Sequence, residues 1–307
     1  VEGYAALRRR TSLRIAAAFG LPLLIAALAW PWPRRFGLVL AAILLGGAAY
    51  SAGGDRVLHI DRSFFGINRV LLTEDGRFRV LFHGRTIHGV QSTQPALRRE
   101  PLSYFHRRGP AGEIFARFAA GRRDLRIGVL GLGAGTLACY AEPGQHWTFF
   151  EIDPAVEHIA RNARLFTFLA DSPAPIEVVL GDARLSLARV PDRAFDLLAL
   201  DVFSSDAIPV HLLTHEALAL YLMKVKPGGV IAFHLSNRHL DLRPVLAATA
   251  GALRVPALVR ADLDVDEADW TEARYPSTWA IVAATRGALA PLADSRWEAP
   301  AEQPGLA

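Results

Sequence analysis

Cysteine is nearly missing from this chain. Cys139 is the only one in 307 residues. That excludes an internal disulfide framework and a multi-cysteine zinc site. The lone thiol suits small apolar packing. Lysine is rare too: the basic residues are nearly all arginine, and they are scattered apart from Arg8-Arg9-Arg10. With a net charge of +4 and no stripe of interleaved basic and aromatic side chains, no nucleic-acid partner is expected. No internal repeat is visible.

Charge is absent from two stretches, residues 15–32 and 36–54, which are rich in Ala, Leu, Ile and Gly. They account for a mean hydropathy of +0.22, high for a soluble chain. Each stretch is close to the ~20 residues that cross a bilayer. Pro31-Trp32-Pro33-Arg34-Arg35 between them reads as a turn with an interfacial tryptophan. A signal peptide would be a single stretch with a small-residue cleavage site; a buried helical hairpin is the other alternative. The expectation is a transmembrane helical hairpin over 1–54. Arg8, Arg9, Arg10 and Arg14 precede the first span, against Arg34 and Arg35 in the turn. This asymmetry predicts an inner-membrane protein with its soluble domain in the cytoplasm. The chain starts Val1-Glu2 rather than Met, as the tail of a longer reading frame or a processed chain would.

Residues 55–63 read as a junction. Residues 68–72 and 77–82 flank Thr73-Glu74-Asp75-Gly76, whose Asp-Gly pair signals a hairpin. A further strand at 85–91 makes a small antiparallel meander. The remainder alternates strand and helix. Strands are expected at 126–130, 147–152, 176–180, 195–201 and 230–234, then near 257–260 and 278–284. Helices are expected at 154–168, 183–190 and 211–224. Such alternation predicts a parallel sheet covered by helices. Beyond Arg286 the chain turns Ala- and Pro-rich and is expected to fray.

Val129-Leu130-Gly131-Leu132-Gly133-Ala134-Gly135-Thr136 reads as strand, tight turn and helix start. Glycines let the turn adopt φ > 0 and let a ligand approach the main chain. A following helix would offer unpaired N–H groups. The next strand ends in Glu151-Ile152-Asp153. An acidic residue about 20 positions after the glycines is where nucleotide-binding α/β folds hold ribose hydroxyls. Together these favour a nucleoside site over an ordinary strand–helix turn.

Two further carboxylates fall at strand ends. Asp182, in Gly181-Asp182-Ala183, suits either an adenine amino group or the N-cap of the next helix. Asp201 ends an apolar strand, and Asp206 follows in Val202-Phe203-Ser204-Ser205-Asp206. Two carboxylates in one pocket suit a cationic substrate, and one could accept a proton from an amine. Asp206 equally reads as a turn cap. His211 and His215 have helical spacing, but no Glu follows the first and no third ligand is evident. No metal site is expected. Ser236-Asn237 reads as a helix cap.

These residues, from about 64 to 284, resemble the spermidine synthases, the polyamine aminopropyltransferases. In particular they look like the bacterial branch in which a membrane segment precedes the synthase domain. The resemblance rests on the order of its motifs. They are Gly-x-Thr-x-His-Gly-x-Gln at Gly84 to Gln91, Pro101-Leu102-Ser103-Tyr104, the glycine turn, Glu151-Ile152-Asp153, Gly181-Asp182-Ala183, the Asp201 loop, and Tyr275-Pro276-Ser277-Thr278-Trp279.

The resemblance implies a Rossmann-like, methyltransferase-type α/β domain. It implies decarboxylated S-adenosylmethionine as co-substrate, with no permanently bound cofactor. Gly131, Gly133, Gly135, Gln91, Glu151, Asp153 and Asp182 would hold this donor, Glu151 at its ribose and Asp182 at its adenine. Asp201, Asp206 and Tyr104 would be catalytic, while Tyr275 and Trp279 would contact a putrescine-like amine. Methylthioadenosine would leave. A homodimer is a further expectation. The chain departs from the family pattern at Ala134, where an aspartate is usual. It departs again at Asp206, displaced from Asp-x-x-Asp, and around Tyr104, where Tyr-His-Glu is not intact.

The resulting division is a hairpin at 1–54, a meander subdomain and linker at 55–120, a nucleoside-binding catalytic domain at 121–286 and a flexible tail at 287–307. Two other functions compete. An S-adenosylmethionine-dependent methyltransferase would usually carry an acidic residue at the position of Val129. A non-catalytic nucleoside-binding sensor of a membrane protein fits Ala134.

Overall fold

A computed structural model describes residues 21–52, 54–202, 210–237, 240–292 and 296–301. The chain divides into two units, Val1–Asp55 and Arg56–Ala307. In the first, α1 (Leu21–Ala29) and α2 (Pro33–Ala52) are joined by a turn. Trp30 meets Phe36 edge-on, and the Arg35 guanidinium lies over the Trp32 ring. Leu24, Leu28, Leu38 and Leu44 are exposed.

The expected hairpin is helical on both sides of its turn. α1 is described from Leu21 onward. Arg34 and Arg35 occupy the first turn of α2. Among the described residues, no helix is long and apolar enough to cross a membrane. Residues 15–20 of the first expected span lie outside that description.

The second unit begins with a four-stranded antiparallel sheet in sequential order: β1 (Arg56–Ser63), β2 (Gly66–Leu72), β3 (Phe78–His83) and β4 (Thr86–Ser92). Residues 56–63, read as a junction, are therefore a strand. This edge strand is half exposed and charged, and its register slips between Val57 and His59. It accordingly shows no clean apolar alternation.

A seven-stranded sheet follows, in the order β10-β11-β9-β8-β5-β6-β7. Its strands are β5 (Arg126–Leu130), β6 (His146–Glu151), β7 (Ile176–Leu180), β8 (Phe195–Leu200), β9 (Val225–His234), β10 (Ala257–Asp262) and β11 (Ser277–Ala283). Strands β9, β8, β5, β6 and β7 run parallel, while β11 is antiparallel to both neighbours. Ile127, Val129, Leu197 and Leu198 are buried, as befits parallel strands covered on both faces. Phe115, Trp147 and Phe149 stack on one side. Burying each such side chain contributes about 1.5–3 kcal/mol. Strand order reverses at β5, where the chain leaves towards β6 and β7 and returns to β8. Open α/β sheets form their ligand crevice at such a point.

Two other expectations change. No α-helix follows the glycine turn; Thr136–Tyr140 is a single 3₁₀ segment with every residue buried. Gly135 has φ +84°, and Pro143-Gly144 comes too soon for further turns. The chain after Arg286 also does not fray through its described part. Leu289, Leu292 and Trp297 are buried. Val259 and Glu298 exchange backbone hydrogen bonds at 2.7 and 2.9 Å. The Trp297 indole N–H donates to Glu113.

Candidate active site

The cleft lies at the C-terminal ends of β5, β6, β7 and β8 and is roofed by the meander. It measures about 290 Å³. Gly131 and Gly133 form its floor. Gly131 has φ +90°, and a Cβ there would stand 2.2 Å from the Asp201 carbonyl oxygen. Gly133 has φ +54°, and its Cβ would stand 2.5 Å from the His88 carbonyl oxygen. No side chain fits either place, so β8 and β4 close on the turn from two sides.

Glu151 ends β6 and is 8% exposed. Its Oε2 accepts the Leu132 N–H and its Oε1 the Asp153 N–H, each at 2.9 Å. Burial pushes its pKa up, and these backbone donors act against that shift. The carboxylate braces the glycine turn and keeps lone pairs for a ligand hydroxyl. Asp153 has a different task. Its Oδ1 caps the helix Pro154–Arg161 through the Ala155 N–H. Its Oδ2 accepts from Ser63 Oγ at 2.7 Å and Asn68 Nδ2 at 3.1 Å. One buried carboxylate thus ties both β1 and β2 to the larger sheet.

Asp182 caps the helix Ala183–Arg189 through the Leu185 N–H at 2.9 Å, and its Oδ2 lies 3.4 Å from His211 Nε2. It also lines the cleft, so cap and ligand contact are compatible. Asp201 follows β8, lines the cleft, and is 2.6 Å from His234. Asp206 lies outside the described residues.

The structure brings Gly131, Gly133, Glu151, Asp153, Asp182 and Asp201 to one cleft, and Gly135, Gln91, Tyr104, Tyr275 and Trp279 are not in its lining. Gly135 sits behind the turn, against Leu169. Gln91 is buried and clamps another segment: it donates to Arg98 O and Thr167 Oγ1 and accepts the Thr167 N–H. Tyr104 donates to Ile87 O at 3.1 Å and stacks on His234. Burial, and then the nearby charge of Asp201, push the Tyr104 pKa up. Tyr275 packs on Trp270. Trp279 is fully buried against the other ring contacts of His234. Ser236 is no helix cap: it accepts the Thr278 N–H and contacts His234. Ala134 is buried beneath Gly89, whose added Cβ would meet the Ala134 Cβ at 2.3 Å.

Residue-by-residue reading missed Asn68, His83, His88 and His234. Asn68 is buried in the cleft wall, and its Oδ1 has no partner among the described residues. A polar residue in the apolar strand Asn68-Arg69-Val70-Leu71-Leu72 was its signal. His88 stood within a quoted motif.

The cleft combines apolar and acidic walls. Phe65, Ile152 and Val156 give apolar walls, four carboxylates suit a cation, and Asn68 Oδ1 awaits a donor. No protein-family model matches the chain. A polyamine aminopropyltransferase of Vibrio vulnificus is 29% identical over 190 residues, covering 59% of this chain and 60% of that protein. A probable spermidine synthase from Corynebacterium glutamicum overlays with a TM-score of 0.59 at 17% identity, covering 79% of this chain and 90% of that one.

The chain is similar to the spermidine synthases.

The spermidine synthase from Thermotoga maritima overlays with a TM-score of 0.55 at 15% identity, covering 77% of this chain and 75% of that one. At those identities the structural likeness is one of fold. A further spermidine synthase structure, with a TM-score of 0.56, holds the transition-state analogue AdoDATO. This chain spans about 60% of the length of the curated relative it matches.

Proposed function

We propose that the protein is a spermidine-synthase-like aminopropyltransferase, moving an aminopropyl group from decarboxylated S-adenosylmethionine to a putrescine-like amine. The observation that carries this reading is Asp201 at the end of β8, in the same cleft as the glycine turn and Glu151. The donor's nucleoside lies over Gly131 and Gly133, with Glu151 at the ribose and Asp182 at the adenine. The acceptor's ammonium gives a proton to Asp201, and the freed electron pair attacks the carbon beside the sulfonium. A C–N bond forms, the C–S pair returns to sulfur, and methylthioadenosine departs. Two cations that repel in water are held together by fixed carboxylates, so positioning and electrostatics supply much of the rate.

The test is turnover with decarboxylated S-adenosylmethionine, and separately with S-adenosylmethionine, over a panel of amines. Asp201→Asn is expected to lower turnover by about 10²–10⁴ while leaving methylthioadenosine affinity unchanged. Near wild-type turnover removes Asp201 as the base. Transfer from S-adenosylmethionine alone supports the methyltransferase, and binding without any turnover supports the sensor.

Membrane attachment of the first unit belongs to the same proposal. It is supported by the exposed Leu side chains of α1 and α2, by the exposed Trp30 and Trp32 in the turn between them, and by the arginines before residue 15, which argue for a cytoplasmic catalytic domain. Recovery of the full chain without detergent in the soluble fraction rejects it.

A further inference from the structure

His234 ends β9, and the mechanism above gives it no task. Its Nδ1 is 2.6 Å from Asp201 Oδ1, and its Nε2 is 2.8 Å from Ser236 Oγ. Ser236 Oγ in turn accepts the Thr278 N–H at 2.9 Å. The direction of this chain follows from donor and acceptor chemistry. An ionised carboxylate only accepts, so the proton between Asp201 and His234 belongs to Nδ1. Ser236 Oγ accepts the Thr278 N–H, and its own hydroxyl hydrogen can be donated to Nε2. A neutral imidazole, protonated at Nδ1 and bare at Nε2, satisfies every one of these contacts.

The ring is also held against rotation. It lies between Tyr104, at 4.4 Å and 22°, and Trp279, at 4.9 Å and 20°. The His234 side chain is 3% exposed and that of Asp201 11%. Asp201 and Tyr104 are titratable groups packed against the ring.

We propose that His234 is the positioning residue for Asp201. Its Nδ1–H pins Oδ1 and leaves Oδ2 to take the proton of the incoming ammonium, whose N–H pair becomes the attacking lone pair. Tyr104 and Trp279 act through His234 by fixing its plane. This role rests on the aminopropyl-transfer reading for the identity of the amine, whereas the orientation of the ring does not.

Two measurements test it. The first needs no activity: long-range ¹H–¹⁵N spectra of the imidazoles in wild type, assigned with His234→Phe. The Nδ1–H tautomer is expected for His234, reverting towards the commoner Nε2–H form in Asp201→Ala. An Nε2–H tautomer in wild type overturns the proposal.

The second measurement is kinetic. His234→Phe keeps the ring stack but loses both hydrogen bonds. It is expected to lower kcat on the order of ten- to a hundred-fold, as loss of a hydrogen bond to a charged group does, with methylthioadenosine affinity unchanged. His234→Asn, whose amide N–H stands near the place of Nδ1–H, is expected to recover much of that loss. Wild-type kcat in His234→Phe, or no difference between the two variants, overturns the proposal. A wild type that transfers to no amine overturns the reaction instead, and the tautomer then decides the placement of His234.

Discussion

Glu151 both braces the glycine turn and lines the cleft. It holds the Leu132 and Asp153 N–H groups from a buried position, and the same carboxylate is proposed to meet the ribose. Glu151→Ala is expected to weaken methylthioadenosine binding about tenfold or more, because hydrogen bonds to a charged group contribute about 1.5–3 kcal/mol. Calorimetry checks this, and unchanged affinity removes Glu151 from the ligand. The pH dependence has a definite sign. Burial raises the folded pKa above 4.5, while the unfolded chain titrates near that ordinary value. Between the two, the folded state keeps a proton that the unfolded state has lost. The contribution of this group to stability is therefore greatest below the ordinary pKa and falls as pH rises through the raised one. Urea midpoints of wild type minus Glu151→Gln should decline as pH rises above the ordinary glutamate pKa. A flat or rising difference refutes the buried charge.

Between elements, β4 packs tightly against the glycine turn. Gly89→Ala would set two Cβ atoms 2.3 Å apart. Such overpacking costs about 1–3 kcal/mol, read as a lower denaturant midpoint at unchanged slope. Ala134→Asp, which restores the family's aspartate, meets the same wall. It is expected to destabilise the protein and to weaken nucleoside binding; improved turnover would show that the turn can re-seat. Legibility in sequence followed the same packing. β5 was readable to the residue because a buried parallel strand is close to an apolar run, and β7, half exposed at the sheet edge, because Pro175 and Gly181 bracket it. β1 was not, because a charged edge strand with a register slip has no such run. The segment after Gly135 looked helical by composition, yet a left-handed glycine and an early Pro143 leave room only for a 3₁₀ turn. Gly131, Glu151, Asp182 and Asp201 were legible because strand ends face the crevice by topology. Asn68 and His234 were not, because their roles depend on contacts made across the chain, to Asp153 and to Asp201.

At the scale of the molecule, the division after Asp55 makes a prediction about folding. The chain from Arg56 onward contains both sheets and the whole cleft. Deleting residues 1–55 is expected to leave a cooperatively unfolding protein with unchanged methylthioadenosine affinity. Loss of the sharp transition would show that the first unit completes the second. The anchoring of both β1 and β2 on Asp153 has a consequence for motion. The cleft's roof, with Phe65, Asn68 and His88, can lift only by releasing a carboxylate two residues from Glu151. A nucleoside beneath that roof therefore acts as a latch. Its occupancy should slow amide hydrogen exchange in β2 and β4, because local opening now costs the binding free energy as well, while exchange in β10, at the far edge of the larger sheet, keeps its pace.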